Sequence, residues 1–285
     1  MRVLTAALAV LLAWPAAGAG PLPIFDAHIH YSHDAWDATP VPKAIEILRK
    51  AGIRRALVSS SDDAGQRRLQ AAAPDLIVLE LRPYRQRGET GSWMRDASVI
   101  PYLEAQLKQH TYVGIGEFHI YGADVDLPVP RRMVELAKER GLLLHAHSDA
   151  EAIGRLFAQW PQARILWAHA GFDRPARLRE MLRRYPLLSC DLSMRSEIAS
   201  GGKLDADWRA LLIEFPDRFL VGTDTYAPER WNSIVDHARW AREWLVDLPP
   251  DVAEGIAWRN GEKLLNKLNR REETSALTQR LRTHN

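Results

Sequence analysis

The feature that most constrains this chain is an alternation. Short apolar, β-rich runs recur at 24–29, 55–59, 76–81, 112–118, 142–147, 164–168, 187–192 and 219–223. Each is followed by an amphipathic segment of helical period, at 42–51, 64–73, 98–109, 130–140, 150–159, 174–184, 205–214 and 233–245. Repeated strand-then-helix order with short connections predicts a parallel sheet. Eight such units closing on themselves predict an α/β fold, the (β/α)8 TIM barrel, with an open doubly wound sheet as the alternative. Boundary residues agree with this division. Pro42 and Pro130 suit a first helical turn, and Ser148-Asp149 offers a cap for the fifth helix. Gly52 and Gly141 can end helices ahead of strands two and five. Residues 251–269 read as an extra C-terminal helix and 271–285 as a polar tail. No internal repeat or linker divides the chain, so 20–270 is expected to be one barrel domain.

The 285 residues exceed the roughly 250 typical of one barrel, and the surplus lies at the start. Met1-Arg2 supplies a positive charge, Val3 to Trp14 is an apolar run broken only by Thr5, and Pro15 precedes the small residues Ala17-Gly18-Ala19. That is the layout of a secretory signal peptide over 1–19, and it predicts an exported, periplasmic chain starting near Gly20. The run falls short of the about 20 apolar residues that cross a bilayer, so no membrane span is expected in the mature chain. Cys190 is the only cysteine, which excludes an intrachain disulfide, and it reads as a small strand residue. Thirty-eight Lys+Arg against 36 Asp+Glu leave +2, which loss of Arg2 would lower by one. The arginine pairs are scattered along helical stretches, so no nucleic-acid surface is evident and a small-molecule substrate is expected. Oligomeric state is not legible.

A barrel of this type carries its chemistry at the C-terminal ends of its strands. Strand one ends Phe25-Asp26-Ala27-His28-Ile29-His30, and a side-chain period of two places Asp26, His28 and His30 on one face. Strand four ends Gly116-Glu117-Phe118-His119, strand five His145-Ala146-His147, strand six Ala168-His169-Ala170-Gly171, and strand eight Gly222-Thr223-Asp224. One histidine at a strand end is ordinary. Five strand ends bearing His, Glu or Asp read as a divalent-metal site.

These residues resemble the amidohydrolase superfamily, and within it the amidohydrolase-related (Amidohydrolase 2) branch. The resemblance rests on the HxH of strand one, the histidines ending strands five and six, and the Asp of strand eight, and it covers nearly all of the mature chain. It implies a barrel with one or two divalent ions, usually zinc, and hydrolysis by a metal-activated water. Strand four carries a Glu where some branches carry a carboxylated lysine, and Gly114-Ile115-Gly116-Glu117 looks like the form seen in TatD-like metal-dependent deoxyribonucleases. No lysine lies in that strand.

On this resemblance His28, His30 and Asp224, with Glu117, would hold a first ion, and Glu117, His147 and His169 a second. The strand-five ligand is either His145 or His147. Family spacing and nearness to the strand end favour His147, leaving His145 one layer deeper. Asp224 would act as general base and then acid. Arg82, Tyr84 and Arg85 follow strand three, and Arg195 follows strand seven. Arg82 and Arg195, close to strand ends, are the candidates for gripping a substrate carboxylate or phosphate. His119 reads as orienting substrate or Glu117, and Tyr121 and Phe172 as pocket walls. His33, His110, His237 and His284 read as surface residues. The Trp residues, among them Trp231 and Trp244, read as packing between barrel and helices, and Asn260 as structural. The leading expectation is an exported metal-dependent hydrolase of a small ester, lactone, amide or phosphoester. A metal-dependent decarboxylase of the same superfamily is the alternative, ahead of a non-catalytic metal binder.

Overall fold

The computed structural model describes residues 20–265. The expected leader, the polar tail and the end of the C-terminal helix lie outside the described residues. The barrel strands are β1 (Ile24–Ile29), β2 (Ile53–Val58), β3 (Ile77–Leu81), β4 (Gly114–His119), β5 (Leu143–His147), β6 (Ile165–Trp167) and β7 (Leu188–Asp191). An antiparallel pair, β8 (Ala199–Ser200) and β9 (Lys203–Leu204), interrupts the series before β10 (Phe219–Leu220), the eighth barrel strand. Every barrel strand pairs parallel with its sequence neighbour, in the order β1-β2-β3-β4-β5-β6-β7-β10. Two backbone bonds join the ends of that order: Ala27 N to Val221 O at 2.9 Å and Asp224 N to His28 O at 2.7 Å. The sheet is thus a nearly closed barrel, and the reversal of strand order that a doubly wound sheet requires is absent from it.

Helices α1 (Val41–Lys50), α2 (Ala64–Ala72), α3 (Val99–Gln109), α4 (Pro128–Arg140), α5 (Ala150–Gln159), α6 (Pro175–Arg184), α7 (Ala206–Glu214) and α8 (Ile234–Leu245) alternate with the strands. The punctuation works as expected in most places. Asp149 caps α5, its carboxylate accepting from Ala152 N at 2.8 Å, and Gly141 ends α4 in the left-handed region at φ +67°. Helix α4 starts two residues earlier than the pattern suggested, because Pro128 takes the first helical turn. Trp167, Trp231 and Trp244 are buried between barrel and helices. Among the described residues no helix is long and apolar enough to cross a membrane.

The barrel interior is stratified, and the strand period of two makes it so. At the bottom Phe25, Ala27, Leu57, Val78, Leu143, Leu166 and Leu220 form one apolar cluster. Two residues further along the same rows stand Glu80 after Val78 and His145 after Leu143, both buried. Two residues further again stand Arg82 and His147. An apolar floor, a buried charged layer and an open functional layer therefore succeed one another.

The C-terminal segment closes the floor. Helix α9 (Pro250–Glu254) continues through a π-turn over Gly255–Arg259 into helical residues 260–265. Leu264 and Leu265 join the bottom cluster, each burial contributing about 1.5–3 kcal/mol. Asn260 Nδ2 donates to the carbonyls of Pro216 and Phe219, both at 2.9 Å, which ties this helix to the entry of β10.

Candidate active site

The site is assembled at the C-terminal ends of the strands, where each backbone leaves its regular path. Strands β6 and β10 end earlier than the apolar runs suggested. After β6, His169, Ala170, Gly171 and Phe172 are all left-handed, at φ 54°, 49°, 62° and 54°. Three of these are not glycine, and such residues cost of order 1–3 kcal/mol each unless their surroundings enforce them. Arg195 supplies the enforcement. Its guanidinium donates to the carbonyls of His169 at 2.8 Å and Asp173 at 2.7 Å, and its Nε donates to Glu197 at 2.6 Å. The same group lies over the Trp208 ring. After β10, Asp224 is left-handed at φ 52°, and Arg230 donates to the carbonyls of Asp224 and Thr223. Gly116 in β4 is required by close approach, since a Cβ there would lie 2.4 Å from the Cβ of His145.

Hydrogen bonds fix the histidine tautomers. His30 Nδ1 lies 2.8 Å from the Ser59 carbonyl, and His28 Nδ1 lies 3.2 Å from Asp191 Oδ2. His169 Nδ1 lies 3.2 Å from the Ser193 carbonyl and 2.8 Å from the Ser193 hydroxyl. Carbonyls and carboxylates only accept, so each Nδ1 carries a proton and each ring turns its Nε2 toward the site. Those nitrogens converge. His28 Nε2 is 3.1 Å from His30 Nε2, and Asp224 Oδ1 is 3.3 Å from His30 Nε2 and 3.7 Å from His28 Nε2. His169 Nε2 is 3.9 Å from Asp224 Oδ2. Asp224 Oδ1 is buried and has no hydrogen-bond donor among the described residues. Donor atoms on a tetrahedral ion with bonds near 2.1 Å stand about 3.3–3.5 Å apart, so His28, His30 and Asp224 fit a divalent ion.

Glu117 lies across the other side. Its Oε2 accepts from Arg82 Nη2 at 2.7 Å and faces His30 Nε2 at 3.2 Å and His28 Nε2 at 3.5 Å. Its Oε1 is 2.9 Å from His147 Nδ1 and 3.7 Å from His169 Nε2. Burial opposes ionisation of Glu117, but His28, His119 and the hydrogen bond from His147 hold it well below the usual carboxylate range. Burial likewise opposes ionisation of Asp224, and the His28 and His30 imidazoles hold it low. Burial pushes His119 down to about 3, so it is neutral at ordinary pH. Its Nδ1 is bonded to the Tyr84 hydroxyl at 3.0 Å and its ring stacks on His147.

The buried charged layer beneath these groups was not anticipated. His145 is not at the site's surface; it lies between Glu80 Oε2 at 2.9 Å and Asp191 Oδ2 at 3.3 Å. Burial alone would depress His145, but the two carboxylates raise it to about 9. Asp191 also accepts from Ser193 N at 3.0 Å and from the Ser193 hydroxyl, and it reaches His28. Asp26 does not join the histidines: its carboxylate accepts from Thr223 and from His28 N, and burial pushes it up to about 7. An irregular register in β1 between Asp26 and Ile29 breaks the strict period there.

A pocket of about 380 Å³ opens over the site, with Arg82, Glu117, His119, His147, His169 and Asp224 in its wall and Phe172 and Tyr226 at its rim. His28 and His30 lie beneath it, each about 1% exposed. The structure thus brings together the predicted ligands and places Arg82 and His119 beside them. It does not bring Arg195 to the pocket, because that guanidinium is engaged by the loop after β6. Arg85 is paired with Glu89 and Asp96 instead.

Comparisons with known proteins agree with this fold. A family described as Amidohydrolase matches residues 25–267. No curated protein matches the chain. Among solved structures, an uncharacterised TIM-barrel protein from Bordetella bronchiseptica is similar at 16% identity and TM-score 0.59, covering 87% of this chain and all of its own. A TatD homologue from Escherichia coli is similar at 17% identity and TM-score 0.59, over 85% of this chain and 98% of its own. A Pseudomonas putida protein assigned as a 2-pyrone-4,6-dicarboxylic acid hydrolase is similar at 16% identity and TM-score 0.58, over 86% and 98%. At these identities the likeness is one of fold.

Proposed function

The chain belongs to the amidohydrolase family, and from that premise we propose that it is a metal-dependent hydrolase of a small ester, lactone, amide or phosphoester. The observation that carries the reading is the convergence of the His28, His30 and His169 Nε2 atoms on Asp224, whose buried Oδ1 has no donor among the described residues. His28, His30 and Asp224 would hold one divalent ion, zinc in the first instance. Glu117, His147 and His169 are the set that a second ion would need. A divalent ion there supplies Lewis acidity and makes hydroxide available near neutral pH.

The remaining chemistry belongs to the side chains. Asp224 is held in its ionised form and sits in the pocket wall, so it takes the proton of the attacking water and returns it to the leaving group. His119, neutral and steered by Tyr84, offers one ring nitrogen to the substrate. Phe172 and Tyr226, each about half exposed, give the substrate's apolar part a surface at the mouth.

The test is turnover on a panel of chromogenic esters, lactones, amides and phosphoesters with Asp224→Asn alongside. A fall in kcat of about 10²–10⁴ in metal-loaded variant supports Asp224 as the base. Unchanged turnover removes it from that role. Carbon dioxide release without uptake of solvent oxygen would instead support the decarboxylase reading.

The leader pattern in the first nineteen residues supports export to the periplasm as part of the same proposal. N-terminal sequencing of the protein from a periplasmic fraction tests it, with a start near Gly20 expected and an intact Met1 against it.

A further inference from the structure

The two halves of the site are built differently. His28, His30 and Asp224 stand 3.1–3.7 Å apart, the spacing of ligands around one ion. The other half is already closed by ion pairs and hydrogen bonds. Arg82 Nη2 donates to Glu117 Oε2 at 2.7 Å, and Arg82 Nε donates to the Glu117 carbonyl at 3.2 Å. Arg82 Nη1 reaches Ser61 Oγ at 3.4 Å. Both Arg82 and Glu117 are nine-tenths or more buried, so this pair is held away from water. On the far oxygen of Glu117, His147 Nδ1 approaches to 2.9 Å, the length of a charge-assisted hydrogen bond and shorter than the separation of two ligands on one ion. A proton on that Nδ1 leaves His147's free lone pair on Nε2, on the ring edge away from Glu117.

We infer that Arg82 stands where a second cation would act, so that this chain holds one divalent ion and not two. The inference rests on the metal-dependent hydrolase reading above. The guanidinium neutralises Glu117, and His147 completes its hydrogen bonding. Glu117, with its charge already met by Arg82, then only borders a single ion on His28, His30 and Asp224, its Oε2 3.2 Å from His30 Nε2 and 3.5 Å from His28 Nε2. Arg82 also lines the pocket, so its positive charge adds to the field that the substrate oxygen meets. The competing arrangement has Arg82 merely orienting a Glu117 that bridges two ions, as hydrogen-bonded ligand carboxylates commonly are oriented.

Metal stoichiometry separates the two. Protein purified without chelator is saturated with zinc, gel-filtered and analysed for metal per chain. One zinc per chain is expected for the natural protein, and two for Arg82→Met, which frees Glu117 for a second ion. Two zinc ions per chain in the natural protein overturn the inference and leave the hydrolase reading intact. One ion in both proteins overturns the role of Arg82. No bound ion overturns the inference and the hydrolase reading together. Should Arg82→Met fail to fold, the cobalt-loaded natural protein decides alone: an isolated high-spin signal supports a single ion, and a spin-coupled pair overturns it.

Discussion

His28 Nε2 and His30 Nε2 face each other across 3.1 Å, while the Nδ1 of each ring is committed to Asp191 and to the Ser59 carbonyl respectively. Two ring nitrogens so placed repel as bare lone pairs unless a proton or a metal ion lies between them. The arrangement is held from behind, through Asp191 and His145 to Glu80, and every member of that chain is buried.

Asp191 is therefore expected to tune the site without touching substrate. Asp191→Asn keeps the size and the acceptor but removes the charge that raises His28. Metal affinity should fall 10–100-fold, in the range usual for outer partners of a metal-bound histidine. Competition with a chromophoric chelator measures it, and an unchanged affinity would remove Asp191 from this role.

Arg195 is expected to act on the fold of the loop after β6. Arg195→Met leaves the carbonyls of His169 and Asp173 without their donors and should cost about 2–4 kcal/mol. Urea denaturation reads this directly. An arginine that gripped substrate would raise KM and leave stability unchanged.

His237 is expected to tie stability to pH. Burial first, and the Arg230 charge second, push it from 6.5 to about 4. A depressed histidine gives stability that is present above the unfolded value and lost as pH falls through the folded one. The unfolding free energy should therefore decline from about pH 6.5 toward pH 4, and His237→Gln should flatten part of that decline. An identical slope in the variant, measured by denaturant titration across that window, would refute the assignment.

The sequence carried the barrel because the apolar floor and the helix faces repeat with periods that elementary sterics dictate. Leu57, Val78 and Leu143 sit where an alternating strand would place them, whereas Phe25 shares the interior with His28 because the register of β1 is irregular. The candidate ligands were legible because they end strands. The premature ends of β6 and β10 were not, since Ala170 and Phe172 are types that rarely turn left-handed and Asp or His adopts that region too seldom to mark it alone. The buried layer was half legible: Glu80 lies between Val78 and Arg82 on the inward row, and that parity alone marks it as internal. Asp191 ends β7 as Asp224 follows β10, and the same strand-end criterion would have found it. Arg195 misled because a long side chain can turn back on a neighbouring loop, and no pattern in the sequence records its direction.

The most direct test is hydrolysis by protein stripped of metal. On a substrate drawn from the chromogenic panel, dialysis against a chelator should abolish turnover, and one equivalent of zinc should restore it with solvent oxygen appearing in the product. Undiminished turnover by protein shown by elemental analysis to contain no metal would contradict the account.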